Sequence, residues 1–369
     1  MSVYIHNINT AVPESFYSQD FLRDKMKEYL GDERSVKSII HRIYSHSGIQ
    51  KRHSVVDDFH ANGDPRFFFQ KDGTLSQPST GSRNDRYAEH ARELFVAIAE
   101  NLISEHPTFT RGDITHVITV SCTGFFAPGP DYEIVKQLNL SPDTQRYHLG
   151  FMGCYAAFPA LRMANAFCET DEDAVAMVIC LELCSLHLQQ AVTTDSLISG
   201  SVFADGGAGM LVSRRKPEKN TPAFRIKRFA SSIAEQSEKD MAWSIGDTGF
   251  DMVLSTYVPD IIQANMEESI EPLLNELKTE GGEIDRWAVH PGGRAILDKI
   301  EKEIGLSPEA FTASRKVLAN YGNMSSGTVL FVLKELLDTP MNKKSENLLT
   351  MAFGPGLTIE SALLEKITG

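Results

Sequence analysis

No stretch of eighteen consecutive apolar residues occurs in this 369-residue chain, so no helix is expected to cross a membrane. The first residues, MSVYIHNINTAVPESF, lack a basic segment followed by an apolar run, so no signal peptide is expected. Positive charge is in deficit: 36 Lys and Arg against 49 Asp and Glu leave −13. That argues against nucleic acid or an acidic membrane as the main partner. Cysteine is sparse and odd in number (Cys122, Cys154, Cys168, Cys180, Cys184), with no CxxC pair. A disulfide framework and a zinc site are thereby disfavoured, and free thiols in a reducing cytoplasm are expected. The rest is ordinary for a globular chain, 42% apolar and 23% charged. The length predicts two or three domain-sized units.

Read in order, VYIHNINTAV before Pro13 alternates as a first strand. Asp20 to His46 is helical in pattern, divided by Gly31, with Asp32 as the expected N-cap of the second piece. Arg34, Lys37, His41 and Arg42 share a face there, the densest cationic region of an acidic chain. It is either a solvated helix face or a contact for the phosphates of a carrier such as coenzyme A. Residues 57–85 are rich in Asp, Gly, Pro and Ser and predict a long loop. Asp85 to His106 is an amphipathic helix, and 112–124 a buried strand. Residues 174–188 predict a second apolar strand followed by a Ser/Thr/Gly loop, and 203–215 a glycine turn running into a strand. KPEKNTP (216–222) is the best linker, dividing the chain into halves 1–220 and 221–369. The second half repeats the order of the first. Asp113 and Glu283 each open a strand after an amphipathic helix, 170 residues apart, and the glycine-turn-helix at Cys154 recurs around Ser325, 171 residues on. Matching offsets predict internal duplication into two similar α/β halves.

The chemistry centres on YHLGFMGCYAAFPALRMANAFCE (147–169). Gly153 permits a tight turn, and a helix follows in which Pro159 is tolerated if it falls in the first turn. A thiol at such a helix mouth is favoured as thiolate by free N–H groups and the dipole, which predicts a nucleophile with a lowered pKa. The alternative is a cysteine that merely packs. His290 ends the strand RWAVH before Pro291-Gly292-Gly293, a position where α/β folds place functional side chains, although a lone His is more often structural. Asn323, in YGNMSSG, is a donor or a plain turn residue. Together Cys154, His290 and Asn323 supply a nucleophile, a group titrating near neutrality and an amide donor for an oxyanion. Cys…His…Asn, with 290 − 154 = 136, is also the order of a papain-like protease. The C-G-[SA]-C-[WY] context and the N-terminal placement of that family are absent.

MGCYAAFPALRMA, WAVHPGGRAILD, NYGNMSSGTVLFVL and AFGPGLTIE occur in order over most of the chain. They resemble the signature segments of type III polyketide synthases, the chalcone-synthase-like family of the thiolase superfamily. ITVSCTGF (118–125) and ELCSLHLQ (182–189) resemble bacterial members in particular. The resemblance implies an α/β thiolase fold, two duplicated halves forming a layered αβαβα core. It implies acyl-CoA loading of Cys154, with His290 and Asn323 stabilising the enolate of decarboxylated malonyl-CoA. That enolate would lengthen the acyl group over several rounds towards a pyrone or resorcinol, with an aliphatic starter favoured. It implies no cofactor and no metal, because decarboxylation supplies the carbanion, and a homodimer, with Met152 in the region that reaches across. Phe203 resembles one gatekeeper aromatic. The second falls at Met252, a departure for which Phe250 offers compensation. Cys184 and His187 fall where the family lines its cavity, Glu182 where it keeps an acid, and Arg34, Lys37 and Arg42 roughly where it meets coenzyme A. A single-round β-ketoacyl synthase dependent on acyl carrier protein is the alternative in the same superfamily. An inactive binding relative is the alternative outside enzymes.

Overall fold

The computed structural model describes residues 2–31, 33–60, 66–235 and 237–369. The strands are β1 (Val3–Ala11), β2 (Phe16–Ser18), β3 (Lys51–His53), β4 (His116–Ser121), β5 (Gln145–Gly150), β6 (Val175–Leu183), β7 (Asp205–Ser213), β8 (Pro222–Ile233), β9 (Met241–Gly246), β10 (Gly249–Leu254), β11 (Arg286–Val289), β12 (Ser345–Gly354) and β13 (Thr358–Thr368). The helices are α1 (Gln19–Leu30), α2 (Arg34–Ser45), α3 (Thr80–Ser104), α4 (Pro130–Gln137), α5 (Ala157–Thr170), α6 (Thr194–Val202), α7 (Val258–Thr279), α8 (Arg294–Ile304), α9 (Thr312–Tyr321) and α10 (Thr328–Asp338). Among the described residues no helix is long and apolar enough to cross a membrane.

The duplication is visible in the pairing. In the first half β4 pairs parallel with β6, β6 antiparallel with β7, and β7 antiparallel with β1. In the second half β11, β12, β13 and β8 repeat that parallel, antiparallel, antiparallel series. The two sets are not separate sheets. Val3, Ile5 and their neighbour Tyr4 pair with Ile226, Phe224 and Arg225, so β1 and β8 join nine strands in the order β11-β12-β13-β8-β1-β7-β6-β4-β5.

Burial explains the layers. β4, β6 and β7 are buried at every residue, which a strand needs when both of its faces are covered. Apolar residues of α5 and α10 pack into a cluster with one face of both halves of the sheet. α3 and α4 cover the other face of the first half, and α7 and α8 that of the second. The resulting order is α, β, α, β, α.

Four local expectations are revised. Asp32 lies outside the described residues, as do 61–65 within the predicted loop; Glu33 occupies the N-cap position of α2. Helix α3 begins at Thr80, not Asp85, because Ser79 accepts a hydrogen bond from the Ser82 N–H at 3.2 Å. The apolar run 174–188 is a strand only to Leu183. There the buried Asp205 carboxylate takes the Ser185 N–H at 2.7 Å and its hydroxyl at 2.5 Å, turning Cys184–His187 into a 3-10 turn. The Ser/Thr segment beyond is helix α6, capped by Thr193.

Candidate active site

The nucleophile turn depends on one glycine. Gly153 has φ +82°, and a Cβ there would stand 2.4 Å from Cδ of Pro355, in the FGPG turn of the second half. The glycine thus lets the two halves meet at Cys154. Helix α5 starts three residues later, with Pro159 in its first turn. The Cys154 thiol is buried and donates to the Ser325 hydroxyl at 3.3 Å. Ser325 sits at φ +46°, a left-handed conformation rare for Ser, and its hydroxyl is also 3.5 Å from Cys122 Sγ.

His290 follows β11, and its amide donates to Met351 O at 2.8 Å, which fixes the backbone beside β12. Its ring is 1% exposed, and among the described residues neither Nδ1 nor Nε2 has a hydrogen-bond partner. An orphaned imidazole is costly in a buried site unless something else binds it. Asn323 follows α9. Its N–H donates to Val202 O at 2.8 Å and its carbonyl accepts from Ala204 at 2.9 Å, locking it beside Phe203. Its Oδ1 accepts from the Ser325 N–H at 2.8 Å and its Nδ2 donates to Gly292 O at 3.2 Å, leaving one amide hydrogen uncommitted.

Cys154, His290 and Asn323 line one small compartment of about 30 Å³. A larger compartment of about 240 Å³ adjoins it, and Cys184, Phe203, Trp243 and Met252 line both. Phe203 and Met252 therefore stand at the partition. Phe250 does not take Met252's place. It is 1% exposed and stacked on His187, ring centroids 4.1 Å apart, in the wall of the larger compartment. His187 accepts from the Phe250 N–H on Nδ1 at 3.0 Å and donates from Nε2 to Thr123 O at 2.7 Å, so it is a neutral, saturated wall residue. Burial also holds it down to about 4. Arg34, Lys37 and Arg42 are exposed on α2 and line neither compartment. Glu182 is fully buried and accepts from Cys122 N at 2.9 Å, Thr123 Oγ1 at 2.8 Å and Ser326 Oγ at 2.5 Å. Burial raises its carboxyl despite these donors. Among the described residues no cluster of three His, Cys, Asp or Glu is placed to hold a metal ion.

Burial opposes the expected thiolate. Burial pushes the Cys154 thiol up to about 12, although Ser325 and Asn323 pull it back. Burial alone holds His290 down to about 3. A helix terminus contributes up to about 2 kcal/mol, about 1.5 pH units, which is too little to offset such desolvation. Burial thus favours a neutral thiol and a neutral imidazole in the free protein. Iodoacetamide labelling of Cys154 in the free protein is therefore expected to be slow at pH 7 and to rise about tenfold per pH unit to pH 10. A rate already at its plateau at pH 7, read by intact mass, would restore the thiolate.

The same burial has a stability consequence. Burial holds His6 and His187 at about 4 and His290 at about 3, so between pH 6.5 and 4 the unfolded chain takes up three protons that the folded chain refuses. Asp205 opposes them: burial raises it to about 6, so the folded chain keeps one proton that the unfolded chain releases above about 4. Among these four groups the net uptake on unfolding is two protons, worth up to about 3 kcal/mol of stability per pH unit as pH drops through this window. Burial also lowers His53, His106, His116 and His148, which adds to the fall, and raises Glu182 and Glu360, which opposes it. Denaturant midpoints unchanged between pH 6.5 and 4.5 would contradict it.

The sequence profile of the chalcone and stilbene synthase N-terminal domain matches residues 3–215, and that of the C-terminal domain residues 226–368. The chain belongs to the chalcone and stilbene synthase family. These are type III polyketide synthases of thiolase-like fold, and solved members resemble this chain from end to end. PKS-I from the brown alga Ectocarpus siliculosus is 31% identical, with TM-score 0.89 over 100% of this chain and 99% of that one. The C-terminal type III polyketide synthase domain of Steely1, a type I/III hybrid from Dictyostelium, is 25% identical, with TM-score 0.91 over 100% of both. The bacterial 1,3,6,8-tetrahydroxynaphthalene synthase of Streptomyces coelicolor A3(2) is 26% identical, with TM-score 0.86 over 99% of this chain and 100% of that one. Probable polyketide synthase 1 of Dictyostelium discoideum is 26% identical over 373 residues, 99% of this chain, which spans 11% of that protein's length.

Two site residues escaped the sequence reading. Ser325 was visible only as the duplicate of Cys154, 171 residues on; in space the two side chains touch. Trp243 gave no signal, since hairpin β9–β10 has no tight-turn signature and its role depends on Nε1 donating to Cys122 O at 2.8 Å.

Proposed function

We propose that this chain is an iterative acyltransferase that condenses malonyl-CoA onto an acyl-CoA starter held on Cys154, giving a pyrone- or resorcinol-type polyketide. One observation carries the reading: Cys154, His290 and Asn323 share a buried compartment in which the imidazole has no hydrogen-bond partner among the described residues. In loading, a nitrogen of His290 takes the thiol proton as Sγ attacks the acyl carbonyl, and coenzyme A leaves as its thiol. Loss of carbon dioxide from malonyl-CoA leaves the electron pair on the α-carbon. The enolate oxygen accepts hydrogen bonds from Asn323 Nδ2 and from the N–H of neutral His290, whose borrowed proton has left with coenzyme A. The carbanion attacks the Cys154 thioester, and the sulfur departs as a thiolate that takes its proton from solvent. The lengthened chain, now on coenzyme A, returns to Cys154 for another round.

Decarboxylation supplies the carbanion, so neither a metal nor a redox cofactor enters. The exposed cations Arg34, Lys37 and Arg42 suit coenzyme A phosphates outside the compartments. Units 1–220 and 221–369 act together, each providing part of the triad. The family relation and the exposed rings of Phe125 and Phe151 beside Phe250 favour a homodimer. Five free cysteines favour the cytoplasm. Incubating the purified protein with a panel of acyl-CoAs and malonyl-CoA, without carrier protein, tests the reading. Pyrone or resorcinol masses support it, and silence until acyl carrier protein is added supports a single-round ketoacyl synthase.

A further inference from the structure

We propose that Arg83, in the first turn of α3, is a positioning residue that holds the wall of the larger compartment and thereby limits product length. The proposal rests on the polyketide synthase reading for its product readout. Arg83 is 1% exposed and lines neither compartment, yet it touches three segments that line the larger one. Its Nη1 donates to Leu186 O at 2.9 Å and to Leu188 O at 2.8 Å, the carbonyls on either side of His187. Its guanidinium lies 4.9 Å from the centroid of Phe68. On the hairpin, Gly249 at φ +105° approaches so closely that a Cβ would lie 2.8 Å from Nη1. Its Nε returns to its own chain at Pro78 O, 2.9 Å away.

Those segments carry His187, Phe68 and Phe250. The stacked rings of His187 and Phe250, with Trp243 edge-on to both, are the wall. Thr80, one turn earlier on α3, completes the attachment. Its hydroxyl accepts from the Gly249 N–H at 2.8 Å and donates to Gly246 O, pinning both ends of the turn between β9 and β10. A buried cation whose hydrogen bonds end only on carbonyls is costly, and an apolar side chain would fill the same volume without that cost. The planar fork reaches carbonyls in separate segments at once, which neither Lys nor Met reproduces. Loosening the wall gives a growing chain more of the larger compartment, whereas Arg83 does not line the compartment of Cys154, His290 and Asn323.

The test compares wild type, Arg83→Lys and Thr80→Val in the full chain. Product masses from one acyl-CoA with malonyl-CoA give the ratio of longer to shorter polyketides, and carbon dioxide release from malonyl-CoA alone gives the decarboxylation rate. Both variants are expected to raise the ratio at least about threefold while decarboxylation stays within about twofold. An unchanged or lowered ratio in a folded variant overturns the proposal, as does a parallel fall of extension and decarboxylation. Thr80→Val decides the matter if Arg83→Lys does not fold. A second readout needs no activity. With Trp287→Phe as background, Trp243 is the single tryptophan. Its quenching constant with acrylamide is expected to rise about twofold in either variant, and an unchanged constant counts against Arg83. If wild type makes no polyketide from any thioester, the assigned reaction fails while quenching still decides whether Arg83 holds the wall.

Discussion

Replacing Cys154 with Ala is expected to abolish condensation, by on the order of 10³-fold or more, while leaving the fold intact. The side chain shrinks by one sulfur in a site already bordered by a cavity, so the loss of packing is small. What disappears is the atom that holds the growing chain between rounds. Intact mass spectrometry after incubation with acyl-CoA should show an acyl adduct on wild type and none on the variant. Decarboxylation of malonyl-CoA should persist at a reduced level, because the oxyanion donors proposed for it, Asn323 and His290, remain in place. A variant that still forms polyketide would remove Cys154 from its role and leave the chain a family member using other chemistry. An adduct that survives the substitution would move the nucleophile to Cys122 or Cys184, both of which line the same compartment.

Legibility of the molecule in its sequence followed the range of the interactions. Strands covered on both faces, such as β4 and β6, show as uninterrupted apolar runs, and the helices of the central layer as small and apolar periods after a glycine turn. The duplication was readable because two halves under the same packing constraint kept similar spacing. Cys154, His290 and Asn323 were readable because each stands at a turn or strand end beside glycine. What stayed hidden is set by partners far away in the chain. The bend after Leu183 comes from Asp205, the start of α3 from one capping hydroxyl, and the position of Trp243 from a carbonyl 121 residues distant. The setting of the thiol was legible only in part for a related reason. A helix mouth is visible in sequence, but the protein that closes over it is not, and its desolvation opposes the dipole.

Asn323→Ala should slow decarboxylation of malonyl-CoA by about 10² to 10³, the usual cost of removing one oxyanion donor. The alanine variant alone is ambiguous, since it also strips Ser325 N–H of its acceptor and Gly292 O of its donor. Asn323→Asp separates the two effects. It is close to isosteric and keeps the oxygen that holds Ser325, but it puts an acceptor where the enolate needs a donor. If Asn323 works by donating to the developing charge, Asp is as damaging as Ala or worse, although the Cys154–Ser325 contact survives. If Asn323 works only by shaping the turn, Asp restores most of the rate. Acyl loading of Cys154, followed by intact mass, is the internal control and should stay within about tenfold in both variants. The decisive comparison is therefore carbon dioxide release against acyl adduct formation in the same preparation. Parallel loss of both would mean that the carboxamide only props up the compartment, and the enolate would then depend on His290 alone.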